Sequence, residues 1–207
     1  MSHFRLGQPY PDDGGESCEP HISLFMLAAD EMEVHEVAYS VERLAKTLPK
    51  LEAKATEYGY NSCGAVEVYF TKSAAWDALQ RAVITVVEPL RRGRLRAVDA
   101  AGGVIQDLLD GASQDDPRRQ QLLRYGYDEV ADAGYGGHDR FNPHITLAWP
   151  RDQDNRTAFV DLPNPRSFSG SLTELAVFGM NAYGTCTRNY GIFTLGGTAT
   201  QSGRAGH

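Results

Sequence analysis

The sequence has few cysteines, no long apolar run and no excess of positive charge. Its three cysteines, Cys18, Cys63 and Cys186, are odd in number and widely spaced, which argues against a disulfide framework and a zinc knuckle. No stretch is long and apolar enough for a membrane helix, and residues 1–17 lack the charged-then-apolar pattern of an export signal. We therefore expect a reduced cytoplasmic protein with no membrane partner.

The chain is acidic, with a formal net charge of −7. Proteins that grip long nucleic acids through the phosphates usually carry a basic surface, so such binding is local at most. The only dense basic cluster comprises Arg91, Arg92, Arg94 and Arg96. We interpret this cluster as the solvated end of a helix, because cations are favoured at a helix C-terminus. A phosphate-steering role is the alternative.

Apolar periodicity predicts a mixture of strands and helices within one domain or two small lobes. Residues 1–18 are predicted to be a flexible arm and residues 198–207 a disordered tail. The first half is predicted to contain a buried strand at 20–28, a helix capped by Asp30 and stopped by Pro49, strands at 51–60 and 65–70, and a helix from about 73 to 90. Two shorter helices follow, of which the first ends at Gly111 and the second starts at Asp116. The last predicted elements are strands at 143–149, 172–181 and 190–197.

Two short phrases of the chain are nearly identical. Residues 19–27 read EPHISLFML and residues 141–149 read FNPHITLAW, so each places proline before histidine and a hydroxyl residue two positions later. Side chains at i and i+2 of a strand point to the same face. His21 would then project with Ser23, and His144 with Thr146. If the two strands lie side by side, two imidazoles and two hydroxyls face one cleft.

Two imidazoles on either side of a phosphate suit in-line displacement at phosphorus. One can act as a base on the attacking oxygen and the other as an acid on the leaving oxygen, since histidine titrates near neutrality. The hydroxyls can hold the non-bridging oxygens. The set contains no spare carboxylate and no cysteine at ligand spacing, which favours a mechanism without metal or cofactor.

These motifs resemble those of the two-histidine (2H) phosphoesterase superfamily, whose LigT-like members are called RNA 2′,3′-cyclic phosphodiesterases or 2′-5′ RNA ligases. The specific match covers His21-Ile22-Ser23-Leu24 and His144-Ile145-Thr146-Leu147. The order of elements after the first motif and the last two strands are also similar. The resemblance therefore spans most of residues 19–197, with an apparent insertion at about 91–140.

The resemblance implies an α+β fold with two pseudo-symmetric lobes, each an antiparallel sheet with helices outside, forming a central groove. It implies metal-independent hydrolysis of a 2′,3′-cyclic phosphate or a 2′-5′ phosphodiester in a nucleotide or RNA end. One histidine would be the acid and the other the base; we favour His144 as the base and His21 as the acid. Ser23 and Thr146 would bind phosphate oxygens.

Several other interpretations stay open at this point. Tyr135, in the Gly-rich loop 134–140, and Tyr190 are candidates for stacking on a nucleobase. The same fold could instead cleave the cyclic phosphate of a small metabolite, or bind a nucleotide or protein partner without catalysis. A metal site at His138 and His144 is disfavoured because metal sites normally show more donors. His35 is expected to face solvent.

Overall fold

The computed structural model describes residues 20–100, 102–131, 139–150, 162–180 and 186–196, together with the backbone of Phe4–Arg5. The predicted arm at 1–18 otherwise lies outside these residues, as does the predicted tail at 198–207. The fold is α+β with antiparallel sheets, in agreement with the predicted class. Within the described ranges, no helix has the length and apolar character needed to cross a membrane.

Four α-helices and eight strands lie within the described residues. The α-helices are α1 (Glu31–Ala45), α2 (Ala74–Val87), α3 (Ile105–Gly111) and α4 (Pro117–Tyr125). The strands are β1 (Phe4–Arg5), β2 (Leu51–Ala53), β3 (Ala55–Tyr60), β4 (Val66–Phe70), β5 (His144–Pro150), β6 (Gly170–Leu172), β7 (Glu174–Met180) and β8 (Cys186–Thr194). Short 3₁₀ turns occupy Glu88–Arg91 and Pro165–Phe168.

Local sequence signals set the starts of two helices. Asp30 accepts a hydrogen bond from the Glu33 backbone at 2.9 Å, and Glu33 accepts one from the Asp30 backbone at 3.0 Å. This reciprocal capping box satisfies two amides at the start of α1. Asp116 caps α4 by accepting from the backbone amides of Arg118 and Arg119, and Pro117 stands at the first helical position, where its missing N–H costs nothing.

Within the part of the chain that the structure describes, the strands form three antiparallel sheets. Their orders are β1-β5-β4-β3, β2-β6 and β7-β8. In the largest sheet, Tyr69 of β4 lies opposite His144 of β5, and Glu67 lies opposite Thr146. Residues paired directly across neighbouring strands point to the same face, so these four side chains share one side of the sheet.

The hydrophobic core fills the other side of this sheet and the space under α1 and α2. Val68 of β4 is fully buried there, and Val37 and Val41 of α1 are 3% and 5% exposed. Trp76 of α2 is 1% exposed and lies against Phe141, with ring centroids 6.2 Å apart. The core therefore fixes β4 and β5 from behind and leaves their opposite face for polar side chains.

Two predicted strands differ in the structure. Residues 20–30 contain neither helix nor strand, so the strand predicted at 20–28 is wrong, although Ile22 and Leu24 still pack against the core. An apolar run alone does not distinguish a strand from another buried segment.

The neighbours of β5 are β1 and β4, so the two histidine motifs are not adjacent strands of the described sheet. The strand predicted at 51–60 is divided at Lys54 into β2 and β3, which belong to different sheets.

The basic cluster is more internal than the sequence suggested. Arg91 is 4% exposed and donates to Glu88 at 2.9 Å and to the Arg124 carbonyl at 2.8 Å. Arg94 forms an ion pair with Glu33 of α1. The prediction of a solvated helix end is therefore wrong for Arg91, because carbonyl and carboxylate oxygens inside the fold replace water around its guanidinium group.

Candidate functional site

His144 is the best-defined member of the candidate site. It opens β5, and its Nδ1 lies 2.8 Å from the carbonyl oxygen of Asn142. A proton on Nδ1 donates to that carbonyl, which fixes the ring and directs Nε2 away from the strand. Nε2 lies 3.7 Å from Oε1 of Glu67, and the His144 side chain is 22% exposed. The ring is thus held in place while remaining partly open to solvent.

Glu67 is a buried carboxylate with fixed partners. It is 5% exposed and accepts hydrogen bonds from Asn61 Nδ2 at 2.9 Å and from the Tyr69 hydroxyl at 2.7 Å. Partial burial, followed by the hydrogen bond to Glu67, raises the pKa of Tyr69 well above its usual range, since an ionised phenol would lose solvation next to a carboxylate. Tyr69 therefore stays a donor to Glu67.

A glycine makes room for the Tyr69 ring. Gly59 of β3 lies opposite Glu67, and a Cβ atom at Gly59 would come within 2.5 Å of Tyr69 Cε2. Contacts this short do not occur between real Cβ atoms and their neighbours. The missing side chain at Gly59 therefore lets Tyr69 lie flat across β3 and reach Glu67.

Glu129 supplies a second carboxyl group on the His144 side of the fold. Burial raises its pKa first, and Asp128 raises it further, while the charge of His144 and the hydrogen bond from Tyr127 lower it. The Tyr127 hydroxyl donates to Glu129 Oε2 at 3.0 Å. The expectation of a site without a spare carboxylate is therefore wrong.

Sequence reasoning missed both carboxylates, but one signal was available. In β4 the alternation Val66-Glu67-Val68-Tyr69-Phe70 places Glu67 and Tyr69 on the face opposite Val68. Reading that alternation against the second histidine strand would have identified Glu67. Glu129 precedes β5 in an irregular segment, and no periodicity marks it.

His21 has a different environment. It lies half-buried in the irregular segment 20–30, with Cys186 Sγ at 3.5 Å from Nδ1 and 3.6 Å from Nε2. Cys186 is the first residue of β8. Ser23 and Thr146 are both half-buried, but only Thr146 shares a regular strand face with its histidine.

A buried glutamine joins the first motif to the neighbourhood of Glu129. Gln80 of α2 is fully buried, and its Nε2 donates to the carbonyls of Leu24 at 3.0 Å and Glu129 at 2.7 Å. Its Oε1 accepts from the Ala131 backbone at 2.8 Å. One side chain thus holds the segment that carries His21 and Ser23 against the segment that carries Glu129.

Of the remaining residues considered for the site, some are described by the structure and others are not. Tyr190 is half-buried, with the Arg188 guanidinium 4.9 Å from its ring centroid and the His35 ring at 6.5 Å. His35 is exposed, as predicted. Tyr135 and His138 lie outside the described residues. Among the side chains that the structure describes, no group of three or more His, Cys, Asp or Glu is arranged to hold a metal ion.

The candidate site combines a fixed imidazole and a hydroxyl on the same face of β5 with two nearby carboxyl groups. These groups belong to His144, Thr146, Glu67 and Glu129. Such a set can exchange a proton with a bound molecule and donate hydrogen bonds to an oxyanion. Comparison of the chain with protein-family models and with curated proteins finds no match. The chemistry of these residues is therefore the basis for assigning a function.

Proposed function

We propose that this protein is a phosphodiesterase of the two-histidine type, which hydrolyses a 2′,3′-cyclic phosphate or a 2′-5′ linkage of a nucleotide or RNA end without a metal ion. The observation that carries the proposal is the anchored His144 beside Thr146 on one face of β5, repeated in sequence at His21 and Ser23. A lone strand histidine is ordinarily structural, but the repetition of the whole phrase favours a shared task.

Contacts in the core support the convergence of the two motifs. Gln80 links Leu24 to Glu129, and Phe25 packs edge-on against Tyr127 with ring centroids 5.6 Å apart. The first motif is thereby attached to the segment that carries Glu129, whose pKa is lowered by the charge of His144. In this proposal, β7 and β8 with His21 form one wall of a groove and the sheet of β4 and β5 forms the other, which is the two-lobed arrangement that the resemblance implies.

The mechanism in this proposal needs two proton transfers. One histidine accepts a proton from water as the water oxygen attacks phosphorus, and the other donates a proton to the ribose oxygen that leaves. Ser23 and Thr146 donate hydrogen bonds to the non-bridging oxygens, on which negative charge increases in the transition state. The product is a phosphomonoester, and the two histidines end with their protonation states exchanged.

The test is hydrolysis of a nucleoside 2′,3′-cyclic phosphate by protein treated with EDTA. We expect turnover to survive the chelator and to fall by about 10² to 10⁴-fold in His21→Ala and in His144→Ala, the range associated with one general acid or base. His35→Ala is the matched control, because His35 is exposed on α1. Full activity in both motif variants would refute the proposal.

The carboxylates favour a small substrate over a long RNA. Glu67 lies 3.7 Å from His144 Nε2, Glu129 is close enough to His144 to feel its charge, and the chain as a whole is acidic. A polyanion would be repelled more strongly than a single cyclic phosphate. The second candidate is therefore a cyclic phosphodiesterase for a mononucleotide or small metabolite. Faster turnover of an RNA end than of a cyclic mononucleotide would exclude it.

A further inference from the structure

Three of the four arginines in the basic cluster are paired with carboxylates, and the fourth is not. Arg91 donates to a glutamate at 2.9 Å. Arg92 and Arg94 both pair with Glu33 of α1. Arg96 forms no ion pair with any carboxylate in the described part of the chain. Within these residues, the charge of Arg96 therefore has no counter-ion.

The groups that contact Arg96 carry no charge. Its Nη1 donates to the thioether sulfur of Met26 at 3.4 Å, and its guanidinium carbon lies 5.7 Å from the ring centroid of Tyr127. Nε is buried and has no hydrogen-bond partner among the described residues. Thioether sulfur is a weak acceptor, and a ring at this distance attracts a cation only modestly. These contacts therefore hold the half-buried guanidinium group without neutralising it.

We propose that Arg96 is the centre of a binding site for an oxyanion, the phosphate or carboxylate group of a small ligand. Met26 and Tyr127 fix the guanidinium group, and its remaining N–H groups bind the oxygens of the ligand. Arginine suits this task because its N–H groups form a planar fork that matches two oxygens of a phosphate or carboxylate. A side chain that is already held in place loses less entropy on binding. The inference goes beyond the proposed function, since it requires no hydrolysis.

The acidic groups near Tyr127 favour a compact anion over an extended one. Asp128 is already paired with Arg118 at 2.6 Å, and Glu129 accepts from the Tyr127 hydroxyl at 3.0 Å, so neither carboxyl group neutralises Arg96. Burial raises the pKa of Tyr127 well above its ordinary value, and the charge of Arg96 opposes that rise. A polyanion would be repelled by both acidic residues and by the net charge of −7, whereas a single oxyanion meets less of this repulsion.

The place of Arg96 in the fold connects the oxyanion site to the first histidine motif. Met26 belongs to the same irregular segment, 20–30, as His21. Gln80 holds this segment through the Leu24 carbonyl at 3.0 Å, so its path past Arg96 is fixed from α2. An oxyanion on Arg96 would therefore bind beside the segment that carries the motif.

The direct test is ¹H–¹⁵N NMR of the arginine Nε groups during titration with inorganic phosphate and, separately, with acetate, at constant ionic strength. We expect the Arg96 resonance, identified by its loss in Arg96→Met or Arg96→Lys, to shift and then saturate with at least one anion. Arg43 is the matched control, because its guanidinium carbon lies 5.8 Å from the ring centroid of Tyr39 while its side chain is exposed. The Arg43 resonance should not saturate. The inference is overturned if Arg96 shows no saturable shift with either anion, or if Arg43 shows the same one.

Thermal unfolding separates binding from packing. A ligand that binds only the folded state raises its Tm by mass action, so the saturating anion should raise the Tm by about 2–6 °C at about tenfold its Kd. This rise should disappear in Arg96→Met, which keeps an apolar side chain against Tyr127, and persist in Arg43→Met. A rise of the same size in Arg96→Met and in the unmodified protein would show that the anion binds elsewhere and would overturn the inference. None of these readouts requires turnover of a substrate.

Discussion

The two histidine motifs share a sequence but not an environment. The second motif opens β5 in the middle of a four-stranded sheet, and its histidine faces Glu67 across the strand pair. The first motif lies in an irregular segment and its histidine contacts Cys186. The same residues thus meet a carboxylate in one place and a thiol in the other.

This difference teaches that a repeated motif specifies which groups are available, while the surrounding fold specifies what each group does. Imidazole is suited to both directions of proton transfer near neutrality. Glu67 Oε1 lies 3.7 Å from Nε2 of His144, whereas the Cys186 thiol lies 3.5 Å from Nδ1 of His21. The two histidines therefore differ in their neighbours, and those neighbours lie outside either motif.

The largest effect should come from removing both histidines. If His21 and His144 act on the same chemical step, the double alanine variant should lose about as much activity as the more damaging single variant, because residues that act as a unit are not additive. Measured kcat/KM for the single and double variants on a cyclic phosphate gives the comparison. If the loss of kcat/KM in the double variant equals the product of the two single losses, His21 and His144 act independently of each other.

The next largest effect should come from cutting the link between the two regions. Gln80→Leu removes three hydrogen bonds and leaves the Leu24 and Glu129 carbonyls and the Ala131 amide without this partner. We expect a loss of about 3 kcal/mol in the free energy of unfolding, since each buried unsatisfied group costs about 1–3 kcal/mol. Urea unfolding measures it.

Gln106→Leu provides the control for this variant. Gln106 is exposed on α3, where it donates to Asp110 at 2.8 Å. The same chemical change there should alter stability by less than about 0.5 kcal/mol. Equal losses in both variants would show that Gln80 has no special role in joining the motifs.

A smaller effect should follow from crowding the Tyr69 ring. Gly59→Ala places a Cβ atom 2.5 Å from Tyr69 Cε2, so the ring must move and its hydrogen bond to Glu67 weakens. We expect a loss of about 1–3 kcal/mol, as for other overpacked sites. Gly170→Ala in β6 has no atom within 4 Å of the added Cβ and should be nearly neutral. A neutral Gly59→Ala would mean that Tyr69 is not required to hold Glu67.

The smallest effect concerns Glu129 and depends on pH. Burial raises the pKa of Glu129 in the folded protein, so the stability linked to its neutral form is present below the ordinary carboxyl pKa and is lost as the pH rises through the raised value. Glu129→Gln should therefore be more stable than the unmodified protein at neutral pH, and the gain should disappear in acid. Urea unfolding at several pH values measures the difference; Glu52→Gln is the exposed control.

Features set by neighbouring residues could be predicted from the sequence. Asp30 and Glu33 form a capping box whose spacing is visible in the chain, and Asp116 with Pro117 marks the start of α4. The strand at 143–149 is found at His144–Pro150. Each of these depends on contacts within a few positions, which propensity and periodicity capture.

Features set by distant residues could not be predicted in this way. The apolar run after His21 packs against the core outside any strand, and Gln80 from α2 donates a hydrogen bond to the Leu24 carbonyl. The candidate site shows the same limit, since Glu67 is brought near His144 by the pairing of β4 with β5. Tertiary partners decided both outcomes, and neither partner belongs to a motif.

The junction at Lys54 has a mechanical consequence. Only this residue separates β2 from β3, its carbonyl accepts from the Thr71 amide at 2.8 Å, and the next amide, at Ala55, donates to Ser169 Oγ at 2.9 Å. The chain therefore crosses from one sheet to the next with no slack. We therefore expect a displacement of the β2–β6 sheet to be passed directly to β3, whose partner β4 pairs with the strand that carries His144.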